Sequence, residues 1–338
     1  MTGGKKGVDL KPQGKTPRIV GLGSALVDIL VHESDDFVRR IGVEKGGMTL
    51  VDMPTLEKIL NQVSGAPIEV PGGSACNTAV GVGQLNGCAR FVGKRGNDDL
   101  GRFFEKALVE RGVEPFLMTS DLPTGRVLSI ITPDAQRTMI TYLGASADTR
   151  PEEITAQCFH DSAVVHMEGY LLFNPDLMAA SLNAAKKAGA KVSLDLASFT
   201  VVEQSQTLLE DIIRRDVDIL IANEDEARAY TGLRDEARAL ARLARHVDTA
   251  ALKIGARGSF IQNKDQVYRI PAQGSGQAVD TTGAGDLWAS GFLYGLVNGY
   301  PHEKSGRLAS ACGYEVCQVV GADIPADGWM RIKEELEE

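Results

Sequence analysis

Asp280-Thr281-Thr282-Gly283-Ala284-Gly285-Asp286 places small residues directly before an apolar segment with helical spacing. That segment runs through Leu287, Trp288, Phe292, Leu293 and Leu296, and Gly299 is positioned to end it. Small residues at a helix start let the backbone approach an anion, and the free N–H groups and positive dipole end then face that anion. Gly283, Ala284 and Gly285 therefore form a candidate cradle for phosphoryl oxygens. Asp286 beside them would repel a bound phosphate, but it is placed to take a proton from an alcohol attacking that phosphate. An Asp after a flexible turn is the plain alternative for a lone glycine pair. The full string favours chemistry.

Five further segments carry candidate groups. In Pro71-Gly72-Gly73-Ser74-Ala75-Cys76-Asn77, the glycines permit close approach of a ligand and Asn77 offers both donor and acceptor, as the hydroxyls of a sugar or ribose require. A tight turn with Asn77 facing a helix neighbour fits equally. Asp28, after Gly23-Ser24-Ala25-Leu26-Val27, can accept hydrogen bonds from vicinal hydroxyls. Gly21-x-Gly23 lacks the third glycine of a dinucleotide fingerprint, with Leu26 in its place, so that reading is rejected. Asn223 and Glu226 stand one helical turn apart after the apolar strand 217–222. They suit a hydrated Mg²⁺ or, more plainly, a negatively charged first turn. Gly255 and Gly258, in Ile254-Gly255-Ala256-Arg257-Gly258-Ser259, either wall a flat nucleobase or make a tight connection. Arg137 is a candidate phosphate contact or an ordinary surface arginine.

The composition narrows the class. The 338 residues carry 36 basic and 45 acidic side chains, a net charge of -9, which argues against duplex nucleic acid as partner. Five cysteines without a C-x-x-C spacing read as reduced thiols, and a cytoplasmic location is expected. No apolar run approaches the roughly 20 residues of a membrane span. The opening residues lack the apolar stretch of a signal peptide, and residues 1–17 are expected to be a flexible tail. No Walker A string and no G-x-S-x-G string occurs, so any ATP use needs another scaffold and a serine hydrolase is disfavoured.

The elements that must position these groups fall into two patterns. From residue 150 onward, strands at 163–167, 191–196, 217–222 and 250–254 alternate with helices at 175–188, 202–214, 224–231 and 235–246. Such alternation predicts a mostly parallel sheet covered on both faces. Earlier, 19–23 and 89–93 read as strands, 35–41 and 54–63 as helices, and 127–132 with 138–142 as a hairpin around Pro133-Asp134-Ala135-Gln136. The helix over 99–111 offers Phe103, Leu108 and Val109 to the core. The prediction is an α/β kinase domain over 18–330 with a small inserted β lid at about 29–55 and 113–148.

Taken together, the strings resemble the ribokinase-like (PfkB) carbohydrate kinase family, from about Ile19 to about Ile324, and adenosine kinases most within it. Ala25-Leu26-Val27-Asp28-Ile29, Pro123-Thr124-Gly125, Gln136-Arg137-Thr138-Met139 and Leu143-Gly144-Ala145 support that similarity. The resemblance implies a ribokinase-like fold and ATP-dependent transfer to a primary alcohol, foremost the 5′-hydroxyl of adenosine or a related nucleoside. A sugar kinase of the same family is the alternative, and a non-catalytic binding protein a more distant one. It further implies Asp286 as base, Gly283, Ala284 and Gly285 as anion hole, and Asn223 and Glu226 at Mg²⁺ and phosphate. Ser24, Asp28, Gly72, Gly73 and Asn77 match the acceptor site, Gly255 and Gly258 the adenine loop, and Arg137 a lid arginine. Asp280 and Thr282 mark the neighbourhood of a monovalent cation such as K⁺. Tyr170 and Phe173 either make an aromatic wall for a purine or pack in the core. Adenosine kinases usually carry Asn where Ser24 stands, and Ser24 reaches less far. A monomer or homodimer is expected.

Overall fold

Successive residues on a strand point to opposite faces, and the large sheet of this protein uses both. In the strand Arg18–Leu22, Ile19 joins one apolar cluster and Val20 the other; Val164 and Val165, then Ile219 and Leu220, divide the same way. Helices cover each face, so the strands are continuous apolar runs. The computed structural model describes residues 16–134, 136–274 and 278–337. Residues 1–15 of the expected tail, and Ala135 of the expected turn, lie outside that range.

The chain runs through β1 (Arg18–Leu22), β2 (Leu26–His32), β3 (Met48–Leu50), β4 (Ile68–Gly72), β5 (Cys88–Gly96), β6 (Val113–Ser120) and β7 (Gly125–Ile131). It continues through β8 (Arg137–Tyr142), β9 (Ser162–Glu168), β10 (Lys191–Asp195), β11 (Ile219–Asn223), β12 (Thr249–Lys253), β13 (Ser259–Asn263) and β14 (Gln266–Ile270). Nine strands form the large sheet in the order β14-β13-β12-β11-β10-β9-β1-β5-β6. It is parallel except where β13 pairs with β12 and β14. The architecture is the expected ribokinase-like α/β fold, a mostly parallel sheet between helices.

Five strands, β3-β8-β7-β2-β4, form a second sheet. Ile29, Leu128 and Ile140 on one face pack against the helices Asp35–Ile41 and Met53–Leu60 through Phe37, Val38, Leu56 and Ile59. Asp28, Val127 and Met139, one residue earlier in each strand, line a cleft on the other face. The content of this sheet differs from the expected lid bounds. Val113–Ser120 pairs in parallel with β5 at the edge of the large sheet, where Pro115 lacks an N–H that an edge does not need. Ile68–Gly72 belongs to the small sheet instead, paired antiparallel with β2. The helix Asp99–Glu110 also turns differently from expectation. Phe104, Ala107 and Leu108 are buried, while Phe103 and Val109 are exposed.

Two close approaches join the halves. Gly73 sits at φ +101°, and a Cβ there would lie 2.3 Å from the Ser24 carbonyl oxygen. It starts the helix Ser74–Gln84, which packs so tightly on the helix Ala284–Val297 that a Cβ on Gly81 would meet Ser290 Oγ at 2.3 Å. Replacing Gly73 with Ala should cost about 1–3 kcal/mol through backbone strain and that collision. Urea unfolding measures it, and an unchanged midpoint would contradict the close approach.

Candidate active site

The carboxyl ends of parallel strands are where a doubly wound sheet opens onto ligand. Register brings chemistry to that edge: Asp195 on β10 stands beside Glu168 on β9, and Lys253 on β12 beside Asn223 on β11. The helix Ala284–Val297 arrives at the same place. Its N-cap is Gly283 at φ +73°, with no side chain capping the first turn. A Cβ on Gly283 would lie 2.6 Å from Ala322 Cβ, so glycine is required there for both torsion and space. No side chain caps this first turn, a geometry that can receive an anion, although Ala284 N already donates to Thr281 O at 3.2 Å. At the far end, Gly299 adopts φ +76° just beyond the last turn, as expected of a glycine stop.

Asp286 lies on that first turn, half-buried. Ser74 Oγ donates to its Oδ1 at 2.8 Å and Asn77 Nδ2 to its Oδ2 at 2.9 Å. Thr78 Oγ1 donates to its backbone oxygen at 3.1 Å. Desolvation in the cleft raises the Asp286 pKa, and the Asn77 and Ser74 donors hold back that rise. The carboxylate is therefore oriented by the segment expected to bind the acceptor. Asn77 holds this carboxylate as well as lining the cleft.

Around it is a cleft of about 520 Å³. Ser24, Asp28, Gly73, Asn77, Arg137 and Tyr170 line it, as do Asn223, Glu226 and the 283–286 turn. Gly72 stands behind Asp28, and a Cβ on it would meet the Asp28 carboxyl at 2.4 Å. Asp28 is buried, and desolvation lifts its pKa to about 6 against the opposing pull of Arg137. Arg137 Nη1 lies 3.9 Å from Asp28 Oδ2, so the lid arginine sits on the acceptor side of the cleft. Phe173 lines the cleft with Tyr170, whose hydroxyl pKa is raised by burial.

Other expected residues are placed differently. Gly255 and Gly258 are absent from the cleft lining, and Gly258 has a packing reason: φ +98°, with Ile270 O 2.0 Å from where a Cβ would sit. The turn leads into the antiparallel β13–β14 pair, which its hydrophobic pattern does not announce. Asp280 is fully buried and holds the loop, accepting from Thr282 N at 2.9 Å, Thr282 Oγ1 at 2.8 Å and Gly321 N at 2.8 Å. Asn223 and Glu226 form a reciprocal cap, with Asn223 N and Nδ2 each donating to Glu226 at 2.7 Å. The plain reading of a capped, negatively charged first turn therefore holds, and the pair also borders the cleft.

Three charged residues at the site escape the sequence reading. Glu168 is buried and accepts from Ser24 N at 2.9 Å and Ala75 N at 3.1 Å; burial lifts its pKa to about 7 despite those bonds. Lys253 Nζ donates to Asp195 Oδ2 at 2.9 Å. Burial opposes the Lys253 charge, but Asp195 and Glu226 outweigh it and raise its pKa. Burial and Asp195 push Glu226 up in turn. The available signal is positional: each of Glu168, Asp195 and Lys253 is the charged last residue of a mostly buried strand.

No group of three or more His, Cys, Asp or Glu able to hold a metal occurs among the described residues. Glu226 at the cleft fits Mg²⁺ in the manner that ion prefers, through water and substrate phosphate oxygens.

The comparisons with known proteins agree with this geometry. A family model described as pfkB family carbohydrate kinase matches residues 55–328. A protein of Arabidopsis thaliana named ribokinase is 31% identical over 269 residues, 74% of this chain and 68% of its own. The crystal structure of a probable sugar kinase from Rhizobium etli CFN 42 superposes with a TM-score of 0.89 at 32% identity, covering 94% of this chain and 98% of that one. That of adenosine kinase from Sinorhizobium meliloti does so with a TM-score of 0.89 at 32% identity, covering 95% and 99%.

The raised Glu168 pKa has a stability consequence. Its folded value exceeds the unfolded one, so the native state holds the extra proton between about 4.5 and 7 and loses stability as pH rises through that window. Denaturant unfolding at pH 5 and pH 8 should show a smaller pH-dependent drop for Glu168→Gln than for the parent. An equal drop would contradict the buried, proton-retaining carboxyl.

Proposed function

The chain belongs to the pfkB family of carbohydrate kinases, and from that membership we propose that it transfers the γ-phosphoryl group of ATP to the 5′-hydroxyl of a nucleoside such as adenosine. Kinases of this family use ATP and generally Mg²⁺. The observation that carries the reading is the Asp286 carboxylate, held by Ser74 and Asn77 at the mouth of an uncapped helix and open to the acceptor cleft.

In this reading, Asp28 and Glu168 accept hydrogen bonds from the ribose hydroxyls and so aim the primary alcohol at Asp286. Asp286 takes the hydroxyl proton as the alcohol oxygen bonds to the γ-phosphorus and the bridging oxygen leaves with ADP. The amides of Gly283, Ala284 and Gly285 stabilise charge on the transferring group. Mg²⁺, reached from Glu226 through water, supplies charge neutralisation on the ATP oxygens when bound. The small sheet acts as a lid that excludes water and limits wasteful hydrolysis. A K⁺ ion beside Asp280 and Thr282 belongs to the same reading. All five cysteines are free thiols, which suits the cytoplasm.

The choice of a nucleoside rests on the walls. Met48, Leu50, Val127 and Met139 from the lid, with Tyr170 and Phe173 opposite, give an apolar slot suited to a purine. Among the described lining residues, Arg137 and Lys253 are the two cations, and each faces a carboxylate. That is poor provision for a sugar phosphate. An unphosphorylated sugar remains the second reading, supported by Ser24 and by the ribokinase name of the Arabidopsis relative.

Acceptor-dependent ADP release with Mg-ATP should be greatest with adenosine among adenosine, inosine, guanosine, ribose, fructose and fructose phosphates. Turnover on a sugar alone would overturn the acceptor assignment. Asp286→Asn should lower kcat by about a thousandfold and change ATP affinity little. Near-normal turnover in that variant would remove Asp286 as the base.

A further inference from the structure

Lys253 is a half-buried cation at the anion cradle that neither the helix dipole nor the aspartate base accounts for. Its Nζ lies 3.0 Å from where a Cβ on Gly285 would sit, so the ammonium faces the backbone of the cradle itself. Any side chain at 285 would stand between the two. The ammonium has three donors, and Asp195 Oδ2 takes one at 2.9 Å. Asp195 is itself fixed, because its Oδ1 accepts from Ala197 N at 2.9 Å in the turn that follows β10.

The surroundings give the charge a task. Asp195, Glu226 and Asp286 all contribute to the elevated Lys253 pKa. A nucleotide triphosphate must enter this region against those carboxylates, and one fixed cation among them offsets the repulsion where the phosphate comes to rest. A lysine that served only to neutralise Asp195 would have no reason to sit against Gly285.

We propose that Lys253 is a further catalytic residue, its ammonium contacting the transferring γ-phosphoryl group, with Asp195 as the positioning residue that holds it at the cradle. The inference rests on the kinase reading above. Lys253 keeps its proton throughout. As the acceptor oxygen bonds to phosphorus, the electron pair of the broken bond leaves on the β-phosphate oxygen, the hydroxyl proton passes to Asp286, and Lys253 stabilises charge on the equatorial oxygens.

The test compares the parent with Lys253→Met and with the double variant Lys253→Met/Asp195→Asn, which leaves no unpaired charge and keeps an acceptor for Ala197 N. Titration calorimetry with Mg-ADP and with Mg-β,γ-imido-ATP reads the γ-phosphate contact independently of turnover. Lys253→Met should lose about tenfold or more in affinity for imido-ATP and stay within about threefold for ADP. Its kcat should fall about a hundredfold or more with acceptor KM little changed, and the double variant should be as slow. If the single variant fails to fold, the double variant carries both readouts. Equal loss of both nucleotides, no loss of either, or a double variant restored to within about tenfold of the parent would overturn the proposal. A parent without acceptor-dependent turnover tells against the kinase reading instead, and the nucleotide titrations still decide the contact of Lys253.

Discussion

Two hydrogen bonds onto one carboxylate connect segments more than two hundred residues apart. Ser74 and Asn77 donate to Asp286 across separations of 212 and 209 positions. The bonds exist because the helices Ser74–Gln84 and Ala284–Val297 lie against one another through small residues, with Gly81 on Ser290. That contact fixes the aspartate between an uncapped helix end and the acceptor segment. In the proposed reaction, a displacement of about 1 Å there would separate base from acceptor and forfeit much of the advantage of positioning.

The rest of the molecule serves that contact. The parallel sheet brings Glu168, Asp195, Asn223 and Lys253 to one edge, because each ends its strand in register with its neighbours. The small sheet supplies the opposite wall, its other face covered by helices 35–41 and 53–60. Burial in so confined a space raises Asp28, Glu168 and Glu226, and neighbouring carboxylates add to the rise. Stored repulsion of this kind is the usual cost of a site poised to receive an anion and move a proton.

What the sequence makes legible is local. The Gly283–Asp286 turn, the Gly72-Gly73 segment and the Asn223/Glu226 pair each announce themselves within a few residues, and all border the site. The alternation after residue 150 likewise reads directly as a parallel sheet. Glu168, Asp195 and Lys253 are different. Each is a charged residue closing a mostly buried strand, and tertiary pairing of the strands makes them neighbours. The lid bounds were obscured for a related reason. Val113–Ser120 and Ile68–Gly72 both contain proline, and which sheet each edge strand joins is decided by tertiary pairing. Phe103 and Phe104 show the same limit: they lie about 100° apart around the helix, and local spacing does not say that Phe104 faces the core and Phe103 the solvent.

The most direct test of the central claim is where the phosphoryl group goes. With the protein, Mg-ATP and adenosine, ³¹P NMR distinguishes a new phosphoester from inorganic phosphate. Asp286 oriented by the acceptor segment predicts a 5′-phosphomonoester, with inorganic phosphate negligible when the acceptor is absent. Inorganic phosphate released at one rate with or without acceptor would contradict it, because the aspartate would then be activating water and its bonds to Ser74 and Asn77 would be packing alone.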